Sequence, residues 1–443
     1  MGSGPPTRAL WAISVPLIFA EISETIAHLT DTILLARVGV VEVGAIALAD
    51  SLLEIVVVLT AGVIDGIQIL VARRIGEGRD REVGRTFNQG LLLLTGVSLA
   101  LTILLLLLAA PLARVLISTP DVGAAVEAFL RIVAFGIVFN AANFAYSALF
   151  VGLGKTRVLI WATLVLGASN LALDWILIFG KFGLPALGIR GAALGTLLAE
   201  ILTFLFLTGY VLLRLDVRRY GLFEFGGWDR RLGRSLVRIS SPIAFQALLE
   251  SVRWFLFFLV VERMGVRALA QSNIVYTCYT VFSIPAEAFS ETACSMVSSL
   301  IGAGKSGRIQ RLVRQAISAT YLASLPLAAL AFLFPEAVLA LLASGEPVFA
   351  EAAGSLRVLA VAMLIIIPAE MWFTAVSGTG DTTAAFWIEV VLTVVTLGWV
   401  YVAGVGLGLG LEYVWVSLPI ACLVCLGLSY AWMRSGYWQR VQI

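Results

Sequence analysis

Charge is scarce in this sequence. Only 13% of its 443 residues are Asp, Glu, Lys or Arg, and 60% are hydrophobic. Soluble domains carry about 25% charged and roughly 45–50% apolar residues, so a water-soluble globular fold is excluded. Histidine is limited to His28, and the four cysteines (Cys278, Cys294, Cys422, Cys425) all fall inside apolar runs. Cys422 and Cys425 have CxxC spacing, but no further histidine or cysteine accompanies them, which leaves no zinc pattern. Long polar segments are missing too, and with them any room for a soluble catalytic domain. No nucleophile elbow and no Rossmann fingerprint occurs. "VGLGKT" at residues 151–156 has Leu149 where a phosphate loop needs its first glycine, and no strand precedes it. That removes an ATPase. No small-residue cleavage site follows a short apolar core near the start, so no removable signal is expected.

What remains is long continuous apolar runs, such as "LLLLTGVSLALTILLLLLAAPLA". Alternation of the kind found in membrane barrels is absent. Runs of about 20 residues match helices crossing a hydrocarbon core of ~30 Å, and lipid demands that every backbone polar group be satisfied within the protein. Twelve spans are expected, near 12–36, 44–72, 88–110, 124–151, 158–180, 188–213, 236–262, 268–301, 312–334, 350–378, 384–405 and 411–433. With both termini cytoplasmic, the inner segments hold 21 Lys or Arg, seven of them between Arg214 and Arg238, and the outer loops hold six. Excess basic residues stay on the cytoplasmic side, so the even span count and the charge bias agree. A multi-pass plasma-membrane protein is expected.

The chain repeats itself at an offset of 226 residues. Pro16 pairs with Pro242, Glu24 with Glu250, Gly154 with Gly380, Thr156 with Thr382 and Trp161 with Trp387; "GLGKT" becomes "GTGDT". The expected fold class is therefore an all-α polytopic membrane protein, twelve helices in two six-helix lobes related by a pseudo-two-fold along the membrane normal. The expected division is an N-terminal lobe over 1–213, a cytoplasmic linker over 214–235 and a C-terminal lobe over 236–443. Such repeats are common in transporters that rock two bundles about a central site.

Carboxylates inside the spans carry the chemistry. A charge at mid-bilayer costs several kcal/mol, so such groups face a cavity, pair, or stay protonated. Glu21, Glu24, His28 and Asp31 fall on one stripe of the first helix. Asp50 and Glu54 are four apart in the second, Asn170 and Asp174 in the fifth, and Glu287 and Glu291 in the eighth. Glu250 and Arg253 are three apart in the seventh, where an ion pair and a functional acid are equal alternatives. Glu21 and Asp50 lie near span ends, where solvation at the interface explains them. His28 is either a neutral imidazole bridging helices or a proton relay. The 226-offset partners of Asp31, Asn170 and Asp174 are Phe257, Thr396 and Val400. A cluster present in one copy only points to a specialised site, because scaffolding would be kept in both, as Glu24 and Glu250 are. Burial and a lack of nearby cations let such an acid titrate near neutral pH and trade a proton or sodium ion for another occupant.

The residues that carry a family resemblance are "VPLIFAEISETIAHLTDTILLARVG", "RRIGEGR", "ALFVGLGKTR" and "NLALDWILIFGKFGLPALGIRGAALGT", then "SPIAFQALLESV", "IPAEAFSETACSMVSSLIGAG" and "AVSGTGDT". Over about residues 10–433 the chain resembles the multidrug and toxic compound extrusion (MATE) family. The resemblance implies two lobes around a central cavity, and export of cationic or amphiphilic compounds against inflow of protons or sodium. It implies roles for Asp31, fifteen residues after Pro16; for Asn170 and Asp174; and for Thr196 as a further oxygen ligand. Glu250, eight residues after Pro242, matches one branch of the family. That branch's acid in the tenth span falls on Ile366 here, with Glu370 one turn later. Glu24, His28, Glu287 and Glu370 join Glu250 as candidates for the substrate cavity or a second cation site. No cofactor beyond the transported ion, no nucleic acid and a monomeric chain are expected. Two alternatives stay open. A lipid-linked oligosaccharide flippase of the same superfamily would line its cavity with basic residues. A membrane-embedded prenyltransferase would pair acids at a helix end with magnesium.

Overall fold

In the computed structural model residues 6–342 and 351–440 are described, and among them there is no strand. The first half holds α1 (Pro6–Ala36), α2 (Val40–Gly76), α3 (Asp80–Leu116), α4 (Pro120–Val133), α5 (Gly136–Leu153), α6 (Arg157–Phe179) and α7 (Ile189–Arg214). A short α8 (Val217–Tyr220) follows. The second half holds α9 (Arg230–Glu262), α10 (Val266–Gly302), α11 (Ile309–Leu333), α12 (Pro335–Leu342), α13 (Ala353–Gly378), α14 (Thr382–Tyr401), α15 (Leu411–Trp415) and α16 (Ser417–Ser435). Among the described residues all twelve expected spans are helical, and two are interrupted.

Each interruption has a local cause. The fourth span breaks between α4 and α5, where the Thr102 hydroxyl of α3 donates to the Ala134 carbonyl at 2.9 Å. A side chain that captures a backbone carbonyl unsettles the helical ladder there. The last span breaks after Trp415. Pro419 has no N–H to offer the Trp415 carbonyl one turn back, so α15 ends and α16 restarts. Pro16 and Pro242 also fall inside helices, at repeat-related places, and α1 and α9 run through them.

Eleven of the described helical segments are long and apolar enough to cross a membrane. The eighth expected span, α10, is the exception by composition. It carries Gln271, Ser272, Asn273, Thr277, Thr280, Ser283, Glu287, Ser290 and Glu291 along 37 residues. Its polar groups are tolerable because α11 and α13 pack against it and bury much of its length. By contrast, the middle of α3 turns Leu92, Leu99, Ile103, Leu104 and Leu107 outward, the surface that lipid would cover.

The chain clusters into two compact units. One is Val15–Val237; the other is Arg238 onward together with α1 up to Ser14. In the latter, Trp11 packs edge-to-face on Phe289 at 5.0 Å and the Ser14 hydroxyl bonds that of Thr292 at 2.8 Å. The repeat shows in packing detail. Gly152 of α5 lies against Val71 of α2, and Gly378 of α13 lies against Val297 of α10, both pairs at the same offset. Gly154 and Gly380, with φ 68° and 88°, end those helices in the left-handed region that favours glycine.

The linker does not dangle. Asn88 is 2% exposed; its amide donates to the Gly221 and Glu224 carbonyls at 3.1 and 3.2 Å, and its Oδ1 accepts from the Phe223 N–H at 2.9 Å. Arg219 donates to Asp80 at 2.7 Å. That bond raises the Arg219 guanidinium above its ordinary pKa.

Candidate functional site

The site is built on the α6–α7 hairpin. Leu187 and Gly188 fold back so that their N–H groups bond the Leu177 and Ile178 carbonyls at 3.0 and 3.3 Å. Gly191 and Gly195, four residues apart on α7, present no side chain to α6. A Cβ on Gly191 would meet the Leu177 backbone, and a Cβ on Gly195 would meet Asp174 Oδ1. This small-xxx-small spacing brings two helices close in lipid. Here it makes room for a carboxyl group between them. The sequence reading missed Gly195, although GxxxG was visible in "GAALG".

Asp174 is wholly buried and Asn170 is 6% exposed. Asn170 Nδ2 donates to Asp174 Oδ2 at 3.3 Å. The Asp174 carboxyl also makes a side-chain hydrogen bond with Asp31 of α1. Two carboxyl groups in contact share one proton, or a cation takes its place, since two bare charges would repel. The one-turn spacing of Asn170 and Asp174 and the stripe on α1 thus converge on one point.

Asp31 and Asn170 line a cavity of about 480 Å³ inside the first unit, together with Thr196 and Glu24. Thr196 lines the cavity and donates its hydroxyl to the Ala192 carbonyl at 3.1 Å, which leaves the oxygen able to accept. Asp174 sits one layer behind, reached through Asn170. The backbone of His28 is part of α1, but its side chain lies outside the described residues. Asp50 and Glu54 of α2 line the cavity as well. No lysine or arginine is among the lining residues, and Phe129, Phe144, Ile137, Val56 and Val57 supply the apolar wall.

Glu200, also on the cavity wall, was not singled out from the sequence. It is 8% exposed. Asn140 donates to its Oε1 at 2.9 Å and Asn143 to its Oε2 at 2.7 Å. The signal for it was a lone acid in the apolar run "TLLAEILTF", with two asparagines one turn apart in the fourth span.

The second unit treats the equivalent place differently. Cavity-lining Glu24, Ala27, Thr163 and Asn170 correspond at the 226 offset to Glu250, Arg253, Glu389 and Thr396. Arg253 bonds Glu250 and Glu389, each at 3.3 Å. Its side chain is 11% exposed, that of Glu389 5% and that of Glu250 48%. The ion pair expected as one alternative for Glu250 is present, and Arg253 has Glu389 as a further partner. Glu370 lies within electrostatic range of Glu250 and Arg253 and accepts from the Thr374 hydroxyl at 3.5 Å. Glu287 is exposed on α10. A crevice of about 10 Å³ lies beside Arg253 and Thr396.

Comparison with known proteins agrees with the architecture. The MatE family model matches residues 16–176 and again 242–402, two copies at the same 226 offset. A "Probable multidrug resistance protein NorM" of Thermotoga maritima is 23% identical over 98% of this chain and 93% of its own length. The protein of the same description from Agrobacterium fabrum is 25% identical; that match spans 63% of this chain and 60% of the relative. A solved structure described as the outward-facing conformation of a multidrug resistance MATE family transporter superposes with a TM-score of 0.89 at 21% identity, covering 98% of this chain and 96% of the other. The twice-matched family model, the two helical units and the buried acidic cluster lead to one conclusion: the chain belongs to the MatE family of transporters, multi-pass membrane proteins rather than enzymes.

Proposed function

We propose that the protein exports amphiphilic cations across the cell membrane by alternating access, driven by inward flow of protons or sodium ions. The single observation that carries this reading is the cavity of about 480 Å³ lined by five carboxylates (Glu24, Asp31, Asp50, Glu54, Glu200) and by no lysine or arginine. A volume in the range of drug-sized ligand sites, with mostly apolar walls and a few placed polar groups, suits a small molecule. Its charge pattern suits a cation rather than the pyrophosphate of a lipid-linked sugar.

Asp31, Asn170 and Asp174 form the coupling site, with Thr196 as a further oxygen. A proton shared by the two carboxyl groups, or a sodium ion among these oxygens, removes negative charge from the cavity. The hold on a cationic substrate then weakens, and arrival of one cation favours departure of the other. In the second lobe Glu250 and Glu370 form a weaker cation-responsive cluster, because Arg253 already offsets much of its charge. The working unit is a monomer of two lobes joined by the basic linker, with both termini cytoplasmic.

The test is efflux of a fluorescent cation from proteoliposomes under separate proton and sodium gradients. Asp31→Asn and Asp174→Asn are expected to abolish gradient-driven efflux, and Glu250→Gln to reduce it less. Undiminished efflux in both aspartate variants would defeat the coupling assignment.

A further inference from the structure

We infer that Glu200, held between Asn140 and Asn143, is the residue that recognises the positive charge of the exported compound. This rests on the reading of the cavity as the substrate site and adds the group that selects among substrates.

The geometry separates Glu200 from the other acids of the cavity. Both of its carboxylate oxygens are occupied by amide donors, at 2.9 and 2.7 Å, and Asn143 donates a second time to the Glu200 backbone carbonyl at 3.1 Å. Asn140 and Asn143 are three residues apart on α5, so one helix face presents both amides. The carboxylate is therefore fixed in direction before any ligand arrives, and preorganisation of this kind raises affinity by lowering the ordering cost of binding. Glu24, Asp50 and Glu54 are all more exposed than Glu200.

Carboxamide donors satisfy the hydrogen-bonding needs of a carboxylate but bring no charge of their own. A glutamate that is 8% exposed carries a desolvation cost that only a counter-charge fully offsets. In the other lobe Glu389 has Arg253 for that purpose. Around Glu200 the lining residues offer no lysine or arginine, and the nearby charge is that of Glu24, of the same sign. A proton removes that cost while the cavity is empty, and a cation that enters can displace the proton and take its place. The 226-offset partners of Asn140 and Asn143 are Ile366 and Ala369, so the pair of amides belongs to this lobe alone. The substrate class that fits is a compound with one cationic centre on an apolar or aromatic body, its charge at Glu200 and its body on Phe129 and Phe144.

The experiment measures equilibrium binding to the purified full chain in detergent, with no ion gradient, by isothermal titration calorimetry. The probes are tetraphenylphosphonium, a permanent cation, and triphenylphosphine oxide, its neutral relative. Glu200→Gln keeps the shape and one hydrogen-bonding oxygen but removes the charge. It is expected to weaken phosphonium binding about tenfold or more, the scale of a charge-assisted contact, and to leave the neutral probe within about twofold. Glu200→Asp, which keeps the charge, is expected to bind the phosphonium more tightly than Glu200→Gln does. An equal loss for both probes, or an unchanged phosphonium affinity, overturns the inference. So do equal affinities of the parent protein for the two probes, a result that needs no variant to fold. Because no gradient is present, failure of the Asp31 and Asp174 coupling assignment leaves these outcomes unmoved.

Discussion

Gly195 of α7 lies directly on the Asp174 carboxyl group of α6, with no space for a methyl group between them. The glycine is what permits a fully buried acid at this point of the hairpin. Gly195→Ala is expected to destabilise the protein by about 1–3 kcal/mol, the usual cost of overpacking, and to impair gradient-driven efflux although no ionisable group has changed. In an Asp174→Ala background the new methyl has room, and the stability penalty is expected to vanish. Thermal melts of the four proteins form a double-mutant cycle; a penalty of equal size in both backgrounds would contradict the contact.

Arg253 is the sole basic partner described for a buried Glu389. Removing a buried cation leaves its acid uncompensated, which costs about 3–5 kcal/mol in closed sites. The half-exposed Glu250 lowers that figure toward its smaller end. Arg253→Leu is expected to melt well below the parent, and the double variant Arg253→Leu with Glu389→Gln to regain about 1–3 kcal/mol. No recovery in the double variant would show that the arginine acts through packing alone.

The linker offers a contrast between a buried amide and an exposed ion pair. Asn88→Leu strips three backbone groups of their partner and is expected to cost about 1–3 kcal/mol. Trypsin should then cut sooner at Arg218 and Arg219. Arg219→Ala breaks the exposed contact with Asp80 and is expected to leave the melt unchanged, because exposed pairs contribute little. Equal sensitivity of the two variants to trypsin would reject the docking role of Asn88.

The repeat can be probed at matching glycines. A methyl on Gly378 would sit 2.7 Å from the Cys294 carbonyl oxygen, and one on Gly152 would sit 2.6 Å from Val71 Cγ1. Backbone cannot rotate aside as a side chain can. Gly378→Ala is therefore expected to destabilise more than Gly152→Ala, with both losses measured by thermal unfolding.

Much of this was legible in the sequence. Apolar runs located the helices, and the 226-residue offset located both copies of the fold. The spacing of Asn170 and Asp174 and the stripe bearing Asp31 placed the central acids. What escaped depended on contacts between distant segments. The break at Ala134 is set by Thr102, which lies 32 residues away. Glu200 gains meaning only from two asparagines on another helix. The Arg253–Glu389 pair joins α9 to α14, and neither residue alone shows its partner.

The polarity of α10 bears on how the protein is made. A segment with two glutamates and many hydroxyl and amide groups gains little from entering lipid on its own. It becomes comfortable there only when α11 and α13 close around it. During synthesis the hairpin after residue 262 is thus expected to wait at the insertion machinery for later segments, so that the second half enters the bilayer as a group, and truncations ending soon after Gly302 should leave α10 uninserted.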